Sequence, residues 1–439
     1  MPERSLDSTR LSARWREADA ARTADSALLA RILCASRERT LALLTCYESA
    51  LGPEMPVPNA PQFNPPLWEL GHVGWFQEYW TRRNVQRTRG VACAPDHVRP
   101  ASLLDHADRL YDSSNVPHDT RWQLPLPDID ATRAYLRSVL DATLKLLEGS
   151  AEDDAALYFF RLVLMHEDMH GEAATYMAQA LGVPLSDALC APELRQDGAS
   201  TRLLRNEPRD WQLGSSGSGF AFDNELCAHR VSLPAFEIDQ RPVRWRDYLP
   251  FAEADGYAEP RWWTAEGWQW VQTQADALPR YVRRNAATSR GRGWECLRFG
   301  EWRGLDPDAP AVHLSYFEAL AWCRWAGRTL PTEAQWECAA MSLPDFHWGE
   351  VWEWTASTFN AYPGFVAHPY LDYSAPWFGN RQVLRGASVA TTGRIAHPRY
   401  RNFFTPERTD IHAGFRSCSL QRCSSVGGDE DQFSSVQDT

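Results

Sequence analysis

The sequence predicts an α+β fold in which a helical first half is followed by an irregular, aromatic-rich second half. Up to about residue 186, apolar residues recur at three- and four-residue spacing, which is typical of amphipathic helices. After Trp211 this periodicity disappears, and short apolar runs are separated by Gly, Pro and Asp. Most of the 20 tryptophans lie after residue 200, which indicates irregular structure held by large aromatic side chains.

Four segments of the first half have the length and periodicity of helices that pack as an antiparallel bundle. They are predicted from Ala27 to about Leu51, at Leu67–Arg83, from about Asp128 to Glu148, and from about Asp153 to Leu181. The second of these carries one histidine and the fourth carries two more. Helix bundles build metal sites from side chains on facing helices, so these histidines are candidate ligands.

Changes in composition divide the chain of 439 residues, which is longer than one hydrophobic core ordinarily serves, into five segments. The predicted segments are a flexible N-terminus at 1–25, the bundle at 26–186, a linker at 187–209, a second domain at 210–422 and a disordered acidic tail at 423–439. Inside the second domain, helices are predicted at Ser315–Trp325 and over a short stretch beginning near Thr332, a typical N-cap residue.

Charge and composition exclude several classes of protein. A net charge of −12 and the lack of a basic run argue against nucleic-acid binding. No apolar run approaches the roughly 18–20 residues that a membrane span needs, and the N-terminus lacks the apolar region of a secretory signal. Ten cysteines without CxxC pairs fit a reducing compartment. We therefore expect a cytoplasmic protein without nucleic-acid or membrane partners.

A histidine pair in the fourth predicted helix is the strongest chemical signal. His166 and His170, in the sequence HEDMH, lie on one face of a helix, where both imidazoles can bind one ion. Such ligands suit zinc, iron, copper or nickel, and the spacing does not choose among them. The pattern is also the HExxH of zinc proteases, in which Glu167 would be the general base and Glu193 a candidate ligand. A helix with two unrelated histidines is the plainer alternative.

Ordered motifs add a family resemblance. The second half contains FAFDNE (Phe220–Glu225), VHLSYFEALAWCRWAGRTLPTEAQWE (Val312–Glu337), VWEWTAS (Val351–Ser357), VLRGAS (Val383–Ser388) and GFR (Gly414–Arg416). Together they resemble the formylglycine-generating-enzyme (sulfatase-modifying) domain, which has a C-type-lectin-like fold. In the first half, GHVGWFQE and HEDMH resemble a DinB-like four-helix bundle. This pairing, over roughly residues 26–422, is similar to the ergothioneine-biosynthesis sulfoxide synthases and their selenium relative, selenoneine synthase.

The resemblance implies a cofactor and substrates. The family's three iron-binding histidines match His72, His166 and His170, so the implied cofactor is non-heme Fe(2+). The implied substrates are small molecules: hercynine, dioxygen, and a selenosugar or thiol donor. Three protein ligands on one side of an iron leave the other side open for substrates.

The resemblance also assigns residues of the second domain. Tyr370 matches a tyrosine that these synthases place near the iron as a proton or hydrogen-atom donor, and Tyr373 matches its partner. Asn402 and Phe403 match residues that line the pocket for a trimethylammonium group, which an aromatic face attracts. Arg408 matches an arginine that binds the carboxylate of the donor.

This chain departs from the family at the donor site. Where members that use γ-glutamylcysteine have an arginine, this chain has His118, although the following Arg121 is kept. Phe404 replaces the aspartate that binds the donor's amino group, and Met169 replaces a glutamine that contacts the hercynine imidazole. Charges of an amino-acid donor would be left unpaired there. We therefore expect a selenosugar as donor, with cysteine or γ-glutamylcysteine as the alternative.

Other functions are weighed against this one. A formylglycine-generating enzyme needs a late cysteine pair, but no cysteine lies between Cys338 and Cys418. A non-enzymatic ligand-binding module is compatible with both domains, although three histidines and two matched tyrosines argue against it. Tyr373 could equally be a packing residue, Trp352 and Trp354 are expected in the core, and Glu167 could hold a ligand imidazole in place.

Overall fold

The computed structural model describes residues 15–190, 201–285 and 293–420. The predicted tail at 423–439 and Glu193 lie outside these ranges. Within them, the α-helices are α1 (Arg16–Arg22), α2 (Ser26–Leu51), α3 (Pro66–Trp80), α4 (Ala107–Tyr111), α5 (Ile129–Leu147), α6 (Asp154–Leu181), α7 (Trp245–Glu253), α8 (Ala265–Val271), α9 (Tyr316–Trp325) and α10 (Glu333–Ser342). None of these helices combines the length and the apolar character that a membrane span requires.

The bundle consists of α2, α3, α5 and α6, and it confirms the four helices predicted from periodicity. Aspartates begin three of them: the side chains of Asp25, Asp128 and Asp153 each accept a hydrogen bond from a backbone N–H of the first turn, at 2.7, 2.8 and 2.9 Å. The other helix starts with Pro66, whose fixed φ suits the first turn. Gly182, in the left-handed conformation, ends α6.

The second domain is built from short strands in several small sheets. The strands are β1 (Leu203–Asn206), β2 (Arg209–Leu213), β3 (His229–Leu233), β4 (Phe236–Asp239), β5 (Val282–Asn285), β6 (Gly293–Arg298), β7 (Glu301–Gly304), β8 (Trp352–Thr358), β9 (Gln382–Gly386), β10 (Asn402–Phe404), β11 (Ala413–Gly414) and β12 (Cys418–Leu420). They pair in the orders β1-β4-β12, β10-β9-β8-β11, β2-β3 and β5-β6-β7. A helical domain followed by this sheet-rich domain confirms the predicted α+β class.

Helices α9 and α10 confirm the two helices predicted in the second domain. Ser315 and Thr332 are their N-caps, and each forms a capping box with the residue three positions on. Helices α7 and α8 were not predicted from the sequence. Both helices span only about two turns and are rich in aromatic residues, so each is too short for a three- and four-residue periodicity to be recognised.

Two predicted segment boundaries are wrong. The N-terminus predicted to be flexible over 1–25 contains α1, which is tied to the second domain. Arg22 forms a buried ion pair with Glu225 at 2.8 Å, and its carbonyl accepts a hydrogen bond from the backbone N–H of Phe220. The linker predicted at 187–209 contains β1, which pairs antiparallel with β4 over four residues, and the first residue of β2. Long-range pairing gives these polar segments structure that their own sequence does not predict.

Helix α6 is the element that joins the two domains. The buried carboxylate of Asp168 accepts two hydrogen bonds from Arg394, at 2.6 and 2.7 Å. One turn later, Glu172 accepts hydrogen bonds from Trp352 at 2.6 Å and from Ser388 at 2.9 Å. The same helix carries His166 and His170, so the histidine pair lies at the domain interface.

Candidate metal centre

Three histidines converge where α3 faces α6. His72 comes from α3, and His166 and His170 come from successive turns of α6. One ring nitrogen from each histidine lies within 4.8 Å of the others, and the ring centroids are 4.4 to 5.1 Å apart. Among the described residues, these three form the group of His, Cys, Asp or Glu side chains suited to hold a metal ion.

Hydrogen bonds fix the orientation of two of the rings. His72 donates from Nδ1 to the carbonyl of Tyr111 at 2.8 Å, and His170 donates from Nδ1 to the carboxylate of Glu69 at 2.6 Å. In both rings the Nε2 lone pair is therefore left for a metal ion, the arrangement that orients metal-bound histidines in general. Neither ring nitrogen of the buried His166 has a hydrogen-bond partner within the described part of the chain.

Burial favours the neutral form of His72 and of His166. Burial, assisted by the neighbouring His170, lowers the pKa of His72 to about 3, against the hydrogen bond to Tyr111. Burial and the other two histidines hold the pKa of His166 well below its usual value. Burial acts to raise the pKa of Glu69, but the charge and hydrogen bond of His170 outweigh it and lower the pKa to about 2. Neutral rings with free lone pairs are the form that binds metals.

The donor set fits iron. Imidazole nitrogens suit ferrous iron as well as zinc, copper and nickel. The buried His166, whose ring lies flat on Phe76 with centroids 3.5 Å apart, has two nitrogens for which the described residues supply no partner, so a metal ion would satisfy a polar atom that is otherwise buried unpaired. We find the residues compatible with the iron that the sequence predicts.

Glu167 does not take part in this centre, and the sequence-based idea that it holds a ligand imidazole is not supported. Its Oε1 accepts hydrogen bonds from Arg37 at 2.7 Å and Thr40 at 2.8 Å, and its Oε2 accepts a second bond from Arg37 at 3.1 Å. Arg37 also donates to Gln77 at 2.5 Å, so Glu167 belongs to a polar network in the bundle core. The HExxH pattern therefore does not place a general base at the metal.

The tyrosines of the second domain approach the metal centre. The Tyr370 ring lies edge-on to His166, with centroids 6.3 Å apart, and 4.9 Å from Phe76. Burial, followed by two nearby aspartates, raises the pKa of the Tyr370 hydroxyl. Tyr373, whose ring centroid is 5.8 Å from that of Tyr370, has its hydroxyl 3.7 Å from the sulfur of Met169. The structure thus brings Tyr370 to the histidine cluster and places Tyr373 next to Tyr370 and Met169.

An aromatic cavity of about 200 Å³ lies between α6 and the second domain, and Met169, which directly precedes His170, is part of its wall. The predicted residues Met169, Tyr373, Asn402, Phe403 and Phe404 line it, together with Glu172, Tyr176, Trp352, Tyr400 and Ile411. Trp352, Ser388 and Thr391 all donate hydrogen bonds to Oε1 of Glu172. Burial raises the pKa of this carboxyl, and the hydrogen bonds that it accepts oppose the shift. Aromatic walls with one carboxylate suit a quaternary ammonium group.

The other predicted donor-binding residues lie in two places. His118 donates from Nε2 to the carbonyl of Phe63 at 2.8 Å, and Arg121 lies 3.7 Å above the Trp68 ring, on the bundle side. Neither is among the described residues that line the aromatic cavity. Arg408 lies 5.1 Å over the Phe404 ring, in the second domain.

Arg121 nevertheless connects to the metal centre through hydrogen bonds. It donates to Asn64 at 2.9 Å, and Asn64 donates to the carboxylate of Glu69 at 2.6 Å. Glu69 in turn accepts the hydrogen bond of His170. Neither Glu69 nor Asn64 was predicted from the sequence. Glu69 could have been found from its position three residues before His72, on the same face of α3.

Tyr400 and Glu172 were also missed. The hydroxyl of Tyr400 is 3.2 Å from that of Tyr373 and 3.2 Å from the sulfur of Met169. Nothing in the local sequence places Tyr400 here, because it comes from a loop more than two hundred residues from α6. Glu172 lies one turn after Asp168 on α6, which could have marked it as a residue facing the second domain. Trp352, expected in the core, is buried but also lines the cavity.

Comparison with known proteins agrees with these two domains. The sulfatase-modifying factor enzyme 1-like domain matches residues 210–350 and 341–419, and the DinB superfamily matches residues 32–174. Hercynine oxygenase of Mycolicibacterium smegmatis is 31% identical over 443 residues, which cover 88% of this chain and 97% of that protein. Hercynine oxygenase of Mycobacterium tuberculosis is 32% identical over 439 residues, with the same coverages. Formylglycine-generating enzyme of Streptomyces coelicolor is 27% identical over 314 residues, 55% of this chain.

A DinB-like bundle that holds three histidines against a sulfatase-modifying-factor-like domain defines a class of two-domain proteins with a candidate non-heme metal centre. Within that class, the chain belongs to the family of ergothioneine-biosynthesis sulfoxide synthases. The two mycobacterial relatives of this chain described above are named hercynine oxygenase. The family predicted from the motifs is confirmed.

Proposed function

We propose that this protein is a non-heme iron(II) enzyme that uses dioxygen to join a selenosugar to the imidazole of hercynine. The name of its relatives supports the coarser part, an oxidative modification of hercynine. One observation carries the proposal: α6 contributes both to the three-histidine centre and to the wall of an aromatic cavity with a buried carboxylate, and Met169 of that wall directly precedes the ligand His170. The identity of the donor is inferred from residues particular to this chain.

Hercynine carries a trimethylammonium group, and the cavity suits such a group. Phe403 stacks on Phe359 with ring centroids 4.0 Å apart, which gives it a fixed face for cation–π contact. Glu172 supplies the only carboxylate among the described residues that line the cavity. A quaternary ammonium next to Glu172 would lower the pKa of this carboxyl and favour its charged form. With the ammonium group there, the imidazole of hercynine would point toward the histidine cluster.

The donor site favours a neutral donor. Arg408, the residue matched to a carboxylate binder, makes two hydrogen bonds to Asp410, at 2.6 and 2.7 Å. Its charge is therefore already compensated. Phe404 provides an apolar face next to it, where relatives that use γ-glutamylcysteine are expected to have an aspartate. A sugar offers C–H groups to such a face and hydroxyl groups to the polar residues around it.

Each residue near the centre has a proposed task. Iron, when bound by His72, His166 and His170, would supply the redox chemistry that dioxygen requires. Tyr370 holds its proton at neutral pH because burial raises its pKa, so it can donate that proton from Oη. Met169 fills the space beside the hydroxyl of Tyr373. The overall reaction balances when one C–H and one Se–H are lost, one oxygen atom ends on selenium and the other leaves as water.

A competition assay tests the donor. The iron-loaded protein is incubated with hercynine, dioxygen and equal concentrations of a selenosugar and γ-glutamylcysteine, and the products are identified by mass. We expect the selenosugar adduct to predominate. Equal or greater use of γ-glutamylcysteine or cysteine would contradict the selenium assignment and support the alternative, an ergothioneine-type sulfoxide synthase on the same metal centre.

A pair of substitutions sharpens the test. Phe404→Asp combined with His118→Arg should shift the preference toward γ-glutamylcysteine, because it restores the residues that the family members using this donor are expected to have at both positions. Phe404→Leu is the matched control, since it keeps the apolar character, and it should keep the preference for the selenosugar. The remaining alternative, a zinc hydrolase, is disfavoured because Glu167 is bound to Arg37 in the bundle core.

A further inference from the structure

A small apolar cavity of about 40 Å³ lies inside the helix bundle, next to His170 and separate from the aromatic cavity. Helices α2, α3 and α6 form its wall. The apolar side chains that line it include Leu43, Leu44, Leu70, Val73, Ala174 and Met177. On the scale where a single water needs about 10–15 Å³, this space holds a molecule of two or three atoms.

The polar groups at the wall already have hydrogen-bond partners. The hydroxyl of Tyr47 donates to the carbonyl of Ala174 at 2.5 Å, and that of Thr40 donates to a carboxylate of the bundle core at 2.8 Å. Glu69 and His170 are bonded to each other at 2.6 Å. A buried water typically makes two to four hydrogen bonds, and cavities that cannot offer them stay dry and bind apolar guests. This cavity is therefore suited to a small apolar molecule.

Small residues on α6 keep the space open. A Cβ atom added at Gly171 would meet Nε of Arg39 at 3.7 Å and Cδ1 of Leu43 at 3.8 Å, which are ordinary contact distances. Alanine would thus fit at this position, and alanine is the better helix former. The chain nevertheless has glycine here, one residue after a metal-binding histidine, and alanine at 174.

We propose that this cavity binds dioxygen and supplies it to the metal centre, an inference that rests on the proposed oxygenase function. Dioxygen is small and apolar, so it partitions into a dry apolar space. In the proposed function the polar substrates occupy the aromatic cavity, which is lined by Met169 and Tyr373 and shares no lining residue with this one. Dioxygen held in this cavity would lie against the ligand His170 and would not compete with the substrates for the same space.

Xenon, an apolar probe of similar size, tests the binding step without any turnover. Crystals of the iron-loaded protein are pressurised with xenon, and anomalous density is sought in the cavity lined by Leu43, Val73 and Ala174. We expect a xenon atom there. A cavity without xenon, in crystals where xenon binds elsewhere or nowhere, would overturn the proposal.

Kinetics test the supply step. Ala174→Leu and the milder Gly171→Ala reduce the cavity, and each should raise the KM for dioxygen several-fold while iron content and hercynine affinity stay unchanged. Gly171→Ala keeps the test valid should Ala174→Leu not fold. Ala131→Leu, at an exposed position of α5, is the matched control and should behave as the unmodified protein. An unchanged KM for dioxygen in Gly171→Ala and Ala174→Leu would overturn the proposal.

Failure of the two proposals can be distinguished. If the unmodified protein consumes no dioxygen with hercynine, the proposed function fails, and the xenon experiment still decides whether the cavity binds an apolar gas. If hercynine is oxidised but the cavity variants and the xenon experiment give negative results, only the dioxygen site fails.

Discussion

Glu69 orients His170 as the carbonyl of Tyr111 orients His72: each accepts a hydrogen bond from Nδ1–H and leaves Nε2 for the metal. Replacing Glu69 by Gln keeps the shape but removes the charge, so we expect iron affinity to fall about 10–100-fold. Competition with a chelator measures it. Glu48→Gln, which removes a carboxylate from a partly exposed ion pair with Arg133, is the control. Equal iron affinity in both variants would show that Glu69 does not support the ligand.

The substitution Glu167→Gln tests the alternative that the protein is a zinc protease with Glu167 as its general base. Arg37 and Glu167 are both almost fully buried, so Glu167→Gln leaves a buried guanidinium without its counter-charge. We expect the free energy of unfolding to fall by about 3–5 kcal/mol, with iron binding retained by the folded protein. Denaturant titration and metal analysis measure both quantities. Normal stability with loss of all activity would instead assign Glu167 a chemical role.

Tyr370 should matter for chemistry and not for binding. Tyr370→Phe removes the transferable hydrogen, so formation of the carbon–chalcogen bond should fall by about 10²–10⁴ while hercynine still binds. Because burial raises the pKa of this hydroxyl, the unmodified enzyme should lose no activity through Tyr370 ionisation below the ordinary tyrosine pKa of about 10. Product yield against pH measures this. An unchanged yield in the variant would transfer the role to Tyr373.

At the level of elements, α6 carries metal ligands and the contacts to the second domain on one helix. Arg394→Ala would remove the counter-charge hydrogen-bonded to the Asp168 carboxylate, which is 0% exposed, and among the described residues the hydroxyl of Ser36 at 2.8 Å would remain as its hydrogen-bond donor. We expect a loss of about 3–5 kcal/mol in the free energy of unfolding. Arg230→Ala, in the exposed pair with Asp210, should change little and serves as control. Equal effects of both substitutions would show that this domain contact is not needed for stability.

The elements that were predictable are those with a local signal. The four long amphipathic helices, the helix at Ser315–Trp325 and the N-cap at Thr332 were predicted to within a few residues, because periodicity and capping are signals carried by neighbouring residues. Helix α1 and strand β1 were missed because their structure depends on partners about two hundred and about thirty residues away, respectively.

The same limit holds for the candidate site: only its local features could be predicted from residue spacing. The histidine pair was visible as i, i+4 spacing, whereas His72 and the tyrosines entered only through the family motifs. Tyr400 was not predictable, since its hydroxyl reaches Tyr373 by tertiary packing alone. The pattern HExxH suggested a role for Glu167 that the structure does not support, because the residue between two ligands on a helix faces the bundle core.

At the scale of the whole molecule, the two domains contribute different parts of the candidate site. The DinB-like bundle holds the histidines, and the sulfatase-modifying-factor-like domain covers them with Tyr370 and the walls of the aromatic cavity. The second domain shares its fold with formylglycine-generating enzyme but lacks a cysteine between Cys338 and Cys418. Fold has been kept and chemistry changed, as is common among domains of one fold.

A crystal structure of the iron-loaded protein with hercynine, prepared without oxygen, tests the central claim most directly. We predict iron bound to His72, His166 and His170, the hercynine imidazole directed at the metal, and its trimethylammonium group between Glu172 and Phe403. Iron bound elsewhere, or hercynine outside the aromatic cavity, would contradict the account of a shared site between the two domains.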